Sequence, residues 1–111
     1  MTEKKPFSAS EFLEVKMNKK LREEPDTMSE FYCVYQFEIG DGTWNLDLTT
    51  DGQKQIKKGK HPEPDCSIKM TEENFEKLLK RKLNVPMALI SGKIKISGEK
   101  ELALKLGELF S

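Results

Sequence analysis

Residues 31–48 read Phe31-Tyr32-Cys33-Val34-Tyr35-Gln36-Phe37-Glu38-Ile39-Gly40-Asp41-Gly42-Thr43-Trp44-Asn45-Leu46-Asp47-Leu48, and their alternation decides the fold class. Phe31, Cys33, Tyr35, Phe37 and Ile39 fall on one face of an extended chain, as do Trp44, Leu46 and Leu48 in the next segment. Gly40-Asp41-Gly42 supplies turn chemistry between them, so the stretch predicts a β-hairpin with one apolar face. A face of that kind has to be covered.

The segments on either side supply the cover. Upstream, Ser8 lies three residues before Glu11, the spacing of a capping box, with Phe7 and Phe12 at the staple positions. A helix over residues 8–24 follows, carrying Phe12, Leu13, Val15, Met17 and Leu21 on more than one narrow stripe. Pro25 stops it. Downstream, residues 53–58 hold three lysines and the single apolar Ile56, which reads as a third strand at a sheet edge. Residues 59–65 contain two prolines and a glycine and form a loop; Cys66, Ile68 and Met70 then alternate as a fourth strand.

Thr71 caps a second helix, with Glu72 and Glu73 in its first turn and Lys80-Arg81-Lys82 at its end. Asn84-Val85-Pro86 starts a short helix through Ile90, since proline is tolerated in a first turn. Lys93-Ile94-Lys95-Ile96-Ser97 reads as a fifth strand that Gly98 ends. The closing segment, residues 99–110, sets Leu102, Leu106, Leu109 and Phe110 on one helical face, with Leu104 pointing elsewhere. The expectation is one α+β domain over residues 1–111, a sheet covered by helices.

Composition narrows the function classes. Nineteen basic and nineteen acidic residues give a net charge of +0, against a dedicated nucleic-acid binder. The longest apolar run is the six residues 85–90, interrupted by Pro86, too short to span a bilayer. The first ten residues read as neither signal peptide nor anchor, and two cysteines without a CxxC spacing read as reduced thiols, so a cytoplasmic location is expected. One histidine and two distant cysteines do not make a metal site, and no cofactor is implied.

No catalytic constellation emerges. His61 reads as a solvated loop histidine, and Asp47 as a solvent-facing strand carboxylate on the face opposite Trp44. The seven glycines form no phosphate loop. Two basic runs, Lys54, Lys57, Lys58 and Lys60, and Lys77, Lys80, Arg81 and Lys82, are suited to solvent or to a transient anionic membrane surface. Aromatic residues are not interleaved with either run, which speaks against single-stranded nucleic acid.

Several pieces in order resemble the sterol carrier protein-2 family. Trp44-Asn45-Leu46-Asp47-Leu48 is similar to that family's Trp-x-x-Asp strand, and Asp65-Cys66-Ser67-Ile68-Lys69-Met70 before Phe75 to its fourth strand and following helix. Gly92-Lys93-Ile94-Lys95-Ile96-Ser97-Gly98 and Leu102-Ala103-Leu104-Lys105-Leu106 resemble its C-terminal block, so the likeness runs over residues 31–110. Arg81 stands where a glycine is usual after the second helix, Pro86 lies one place later than the usual proline, and the final Glu108-Leu109-Phe110-Ser111 is not the peroxisomal tripeptide common in the family.

The resemblance implies a five-stranded, mostly antiparallel sheet with helices on one face and an apolar tunnel between them. It implies a non-enzymatic carrier of fatty acid, fatty acyl-CoA or sterol. Face parity offers Phe31, Phe37, Leu48, Leu78, Ile94, Leu106 and Leu109 as tunnel residues, and Arg22, one of two arginines, as the head-group contact. The competing expectation is a non-catalytic interaction or substrate-presenting domain with a packed core.

Overall fold

A computed structural model describes residues 7–24, 31–49 and 55–106. Its five strands are β1 (Val34–Ile39), β2 (Gly42–Asp47), β3 (Ile56–Lys58), β4 (Cys66–Met70) and β5 (Ile94–Gly98), in the order β3-β2-β1-β4-β5. All neighbours are antiparallel except β1 and β4, which run parallel. The hairpin stands where the alternation puts it, although β1 begins at Val34 and Phe31 precedes it; the lysine-bearing edge strand covers Ile56–Lys58, with Gln55 ahead of it and residues 53 and 54 of its expected span outside the described residues.

The register aligns the alternating side chains into one face. Phe37 pairs with Trp44 on one side and Ile68 on the other, and Ile68 pairs with Ile96. Tyr35 similarly joins Leu46 and Cys66, and Leu46 joins Ile56. Paired residues point to the same side, so these rows form the floor of the core. Gly42 belongs to the same arrangement: the Trp44 ring lies across it, and a Cβ there would meet the ring at 2.3 Å.

Four helical segments cover that floor. Helix α1 spans residues 9–23: it is α-helical over Ala9–Glu11, a π-helix over Phe12–Met17 and α-helical again over Asn18–Glu23. Its buried apolar residues are Ala9, Leu13, Met17 and Leu21, one in every four. In a regular α-helix of 3.6 residues per turn a four-residue repeat drifts by roughly 40° per step. The wider π turns offset that drift and keep the four in line, which leaves Val15, one of the apolar residues beyond a single stripe, outside at 59% exposure. Ser8 caps the helix by accepting from the Glu11 N–H at 3.2 Å.

Helix α2 (Glu72–Leu79) is capped by Thr71, and α3 (Val85–Ser91) by Asn84, each side-chain oxygen accepting from an N–H of the first turn. Helix α4 spans Lys100–Leu106, and the rest of the expected closing helix lies outside the described residues. Among the described residues no helix is long and apolar enough to cross a membrane.

The back of the sheet is crossed by the loop of residues 59–65, which carries the chain from edge strand β3 to β4. Polar side chains of that face hold it: Gln36 Oε1 accepts from the His61 N–H at 3.0 Å, and Asn45 Nδ2 donates to the Gly59 carbonyl at 3.0 Å. At its end Asp65 exchanges hydrogen bonds with Val34, the Asp65 N–H to the Val34 carbonyl at 2.9 Å and the Val34 N–H to Asp65 Oδ2 at 2.7 Å. Gly98 sits against this corner with φ +88°, where a Cβ would lie 2.2 Å from the Asp65 carbonyl oxygen.

Asn18 performs the matching task on the other side. Only 4% exposed, it accepts from the Ile56 N–H at 2.7 Å and donates to the Ile56 carbonyl at 3.1 Å and to the Glu14 carbonyl at 2.9 Å. It therefore occupies the outward-facing backbone groups of the edge strand. Asn18→Leu should leave two buried backbone groups unpaired, a loss of about 2–4 kcal/mol. Thermal denaturation should show a fall of on the order of 10–20 °C, and a fall of under about 3 °C would remove Asn18 from this role.

Candidate functional site

The helices do not fill the space above the floor everywhere. Over β1, β4 and β5 they leave an apolar cavity of about 570 Å³. Its floor is Phe37 and Ile39 of β1, Ile68 and Met70 of β4, and Ile94 and Ile96 of β5. Phe75 and Leu78 of α2 form one wall, Val85, Pro86 and Leu89 of α3 another, and Ala103 and Leu104 of α4 a third; Arg81 and Leu83, from the turn between α2 and α3, complete it.

Local sequence explains each wall. Phe75 is 1% exposed and receives the edges of Phe7 and Phe12, with ring centroids 5.9 and 5.7 Å away, so α1 braces α2. Pro86, in the first turn of α3, has no N–H to leave unsatisfied there. Tyr35 is fully buried, and its hydroxyl donates to the Leu102 carbonyl at 2.7 Å, tying α4 down onto the sheet. Burial pushes the Tyr35 phenol well above its usual range, so it stays a donor.

A second cavity, of about 450 Å³ and more polar, lies along another side of α4 and is lined by Phe31, Tyr32, Cys33, Asp65, Glu99, Leu102 and Lys105. Cys33 and Cys66 are free and buried. Burial raises both thiols, Cys66 to about 11, which keeps them protonated and unreactive at neutral pH.

The residues put forward from sequence therefore separate. Phe37, Leu78 and Ile94 come together around the large cavity. Phe31 lines the small one, ahead of the start of β1 and beside Tyr35, with ring centroids 6.2 Å apart. Leu48 is 4% exposed within the packed core and lines neither cavity. Leu109 and the side chain of Leu106 lie outside the described residues. Arg22, exposed near the end of α1, lines neither cavity; the arginine at the large one is Arg81. On α4 the lining residues are Ala103 and Leu104, the side that face parity had set aside.

The two polar candidates, His61 and Asp47, form a clip on the back of the sheet. His61 Nδ1 accepts from the Glu63 N–H at 3.0 Å, so Nε2 carries the proton of the neutral ring and faces Asp47 Oδ2 at 3.3 Å. Asp47 Oδ1 accepts from Thr49, from its hydroxyl at 2.5 Å and its N–H at 2.8 Å. His61 is thus a fastened loop residue. Among the described residues no group of three His, Cys, Asp or Glu could hold a metal ion.

The Thr49 hydroxyl first, then its N–H and His61, hold the Asp47 carboxyl below the ordinary aspartate range. A carboxyl depressed in the folded state adds stability above its unfolded value, near pH 4, and that stability is lost as pH falls through the folded value. Asp47→Asn should accordingly narrow the gap between urea midpoints at pH 7 and pH 3. An unchanged gap would show that acid lability resides elsewhere.

Comparison with known proteins bears on the same cavity. The family model of the SCP-2 sterol transfer family matches residues 12–111. Hydroxysteroid dehydrogenase-like protein 2 of Rattus norvegicus is 41% identical over 71% of this chain and 16% of its own length. Sterol carrier protein 2 of Homo sapiens is 31% identical over 84% of this chain and 18% of its own length. The chain thus spans less than a fifth of these two curated relatives. The solution structure of palmitated SCP2L2 from Aedes aegypti superposes with a TM-score of 0.73 at 25% identity, covering 94% of this chain and 95% of that one.

Proposed function

The chain belongs to the SCP-2 sterol transfer family, and from that membership together with its cavity we propose that it binds and transfers a long-chain lipid, a fatty acid, fatty acyl-CoA or sterol. One observation carries the reading: about 570 Å³ of space with apolar side chains on the floor and three walls. Extended by a ligand, this cavity is the proposed lipid tunnel. A fourteen-methylene chain brings roughly 11 kcal/mol of gross driving force at about 0.8 kcal/mol per methylene. Ordering and association costs remove a large part of it and leave micromolar affinity or better.

The empty state supports the same reading. A sealed void of this size would cost about 14 kcal/mol at ~24 cal/mol per Å³, as much as a whole domain's ~5–15 kcal/mol stability. A chain that keeps such a space either opens it to water or fills it. Exposed Pro86, Arg81 and Leu104 stand at the rim, where a lipid would enter.

We place no catalytic step on this chain: its role is to hold the lipid, or to present it to an enzyme. The palmitated relative supports a fatty acid as one ligand. The dehydrogenase-like relative supports presentation of a substrate within a longer protein. A cytoplasmic setting is proposed with it, on two cysteines that carry no CxxC spacing and read as reduced thiols. An anionic membrane surface is the second proposed partner, through Lys57, Lys58, Lys77, Lys80 and Arg81, with Lys54 outside the described residues. Nucleic acid is not proposed as a partner.

Native mass spectrometry of the purified protein, with extraction of whatever is released, tests the lipid reading. One lipid per chain is expected; alternatively, palmitate or cholesterol at ~100 times its Kd should stabilise the protein by about 2.7 kcal/mol and raise Tm by on the order of 10 °C. Leu78→Trp, which fills the cavity from α2, should cut binding at least tenfold without lowering Tm. A protein with neither bound lipid nor a thermal shift is a packed interaction domain.

A further inference from the structure

We propose that Arg81 is the head-group contact of this cavity and tunes it to an anionic amphiphile, a long alkyl chain ending in carboxylate or phosphate, over a neutral lipid. The inference rests on the cavity being the lipid site. Every other described residue lining it is apolar, so among the described residues a polar head group finds one charged partner there.

The backbone at Arg81 gives the second, independent reason. Helix α2 closes by two hydrogen bonds, from the Arg81 N–H to the Leu78 carbonyl at 3.1 Å and from the Lys82 N–H to the Lys77 carbonyl at 2.8 Å. This closure needs a left-handed residue at its corner, a position glycine fills without cost. Helix α3 ends with the same pair of bonds, Gly92 to Leu89 at 3.4 Å and Lys93 to Ala88 at 2.8 Å, and Gly92 stands at the corner with φ +81°. At α2 the corner is Arg81, with φ +59°, the only non-glycine residue of positive φ among those described. The same motif thus occurs twice, and the strained residue stands only at the corner that lines the cavity. Strain of this kind persists where the side chain is needed.

The charge is also available. Lys77 and Lys80, on the same helix, are engaged by Glu73 at 3.4 Å and Glu76 at 3.1 Å. Arg81 has no ion pair with any described residue. Its guanidinium is permanently protonated and shaped to receive carboxylate or phosphate with two parallel hydrogen bonds.

The experiment compares palmitate, palmitoyl-CoA, hexadecanol and cholesterol on the full chain and on three variants. Arg81→Gly should raise the unliganded Tm by a few degrees, because it relieves the left-handed corner. It should weaken palmitate or palmitoyl-CoA about 5- to 30-fold while hexadecanol and cholesterol change less than twofold. Arg81→Lys, which keeps the charge but not the fork, should fall between. Loss with palmitoyl-CoA alone identifies phosphate as the group held, and loss with palmitate alone identifies carboxylate; either supports the assignment. Equal losses for charged and neutral ligands, or a selective loss with Arg22→Ala instead, overturn it. Wild-type protein that binds none of the four overturns the cavity reading itself, and this inference with it.

Discussion

Five strands spaced about 4.8 Å apart present an apolar face roughly 19 Å wide, and the helical cover available to it is short. Helix α2 has eight residues, α3 seven and the described part of α4 seven, so at 1.5 Å per residue neither α2 nor α3 exceeds about 12 Å. The contrast between the closed and the open part of the core follows from this mismatch. Over β3 and β2 the longer α1 reaches across with an unbroken line of Ala9, Leu13, Met17 and Leu21 and closes the core. Over β1, β4 and β5 three short helices meet at angles set by a proline start and two left-handed stops. They enclose space that their side chains do not fill.

The two halves are secured differently. In the α1 half the edge strand is anchored by Asn18, and the aromatic contacts of Phe7 and Phe12 converge on Phe75. In the cavity half, α4 is fastened to the sheet by the Tyr35 hydroxyl and to the β4–β5 corner by the Glu99 N–H on the Asp65 carbonyl at 2.9 Å. Regions with fewer buried contacts open at lower free energy than the core they border. The division places the anchor of the edge strand in the closed half and the fastening of α4 beside the cavity.

Strand alternation made the sheet readable: Ile68, Ile94 and Ile96 are apolar because of the face they share, so their place in the floor could be read from parity. Caps at Ser8, Thr71 and Asn84 were readable too, since a side-chain oxygen before a helical run has few other uses. Parity does not tell a filled part of the face from an empty one. Leu48 and Phe37 look alike in sequence, and only the lengths and angles of the covering helices decide that Phe37 borders a cavity. The π turn of α1 escaped for a related reason: a repeat of four shows itself only once Val15 is seen to be outside. Asn18, His61 and Asp47 look like surface residues until the crossing loop and the edge strand give them partners.

Arg81 marks the limit of such reading in another way. In sequence it is one of eight positive charges from Lys77 to Lys105, and its neighbours Lys80 and Lys82 make it look like part of a solvated helix end. What sets it apart is backbone conformation, for which the one sequence signal is that Arg81 stands where the resembled family usually has a glycine. The α3 corner shows that this chain uses glycine where conformation alone matters. An apolar cavity places no demand on the turn above it that glycine would fail to meet. A cavity that receives a charged head group does, because a long cationic side chain on the rim can put a charge over an opening whose other described lining is uncharged, and glycine cannot. Conformational cost and electrostatic gain thus meet in one residue, and removing the side chain should separate them, with stability moving one way and selectivity the other.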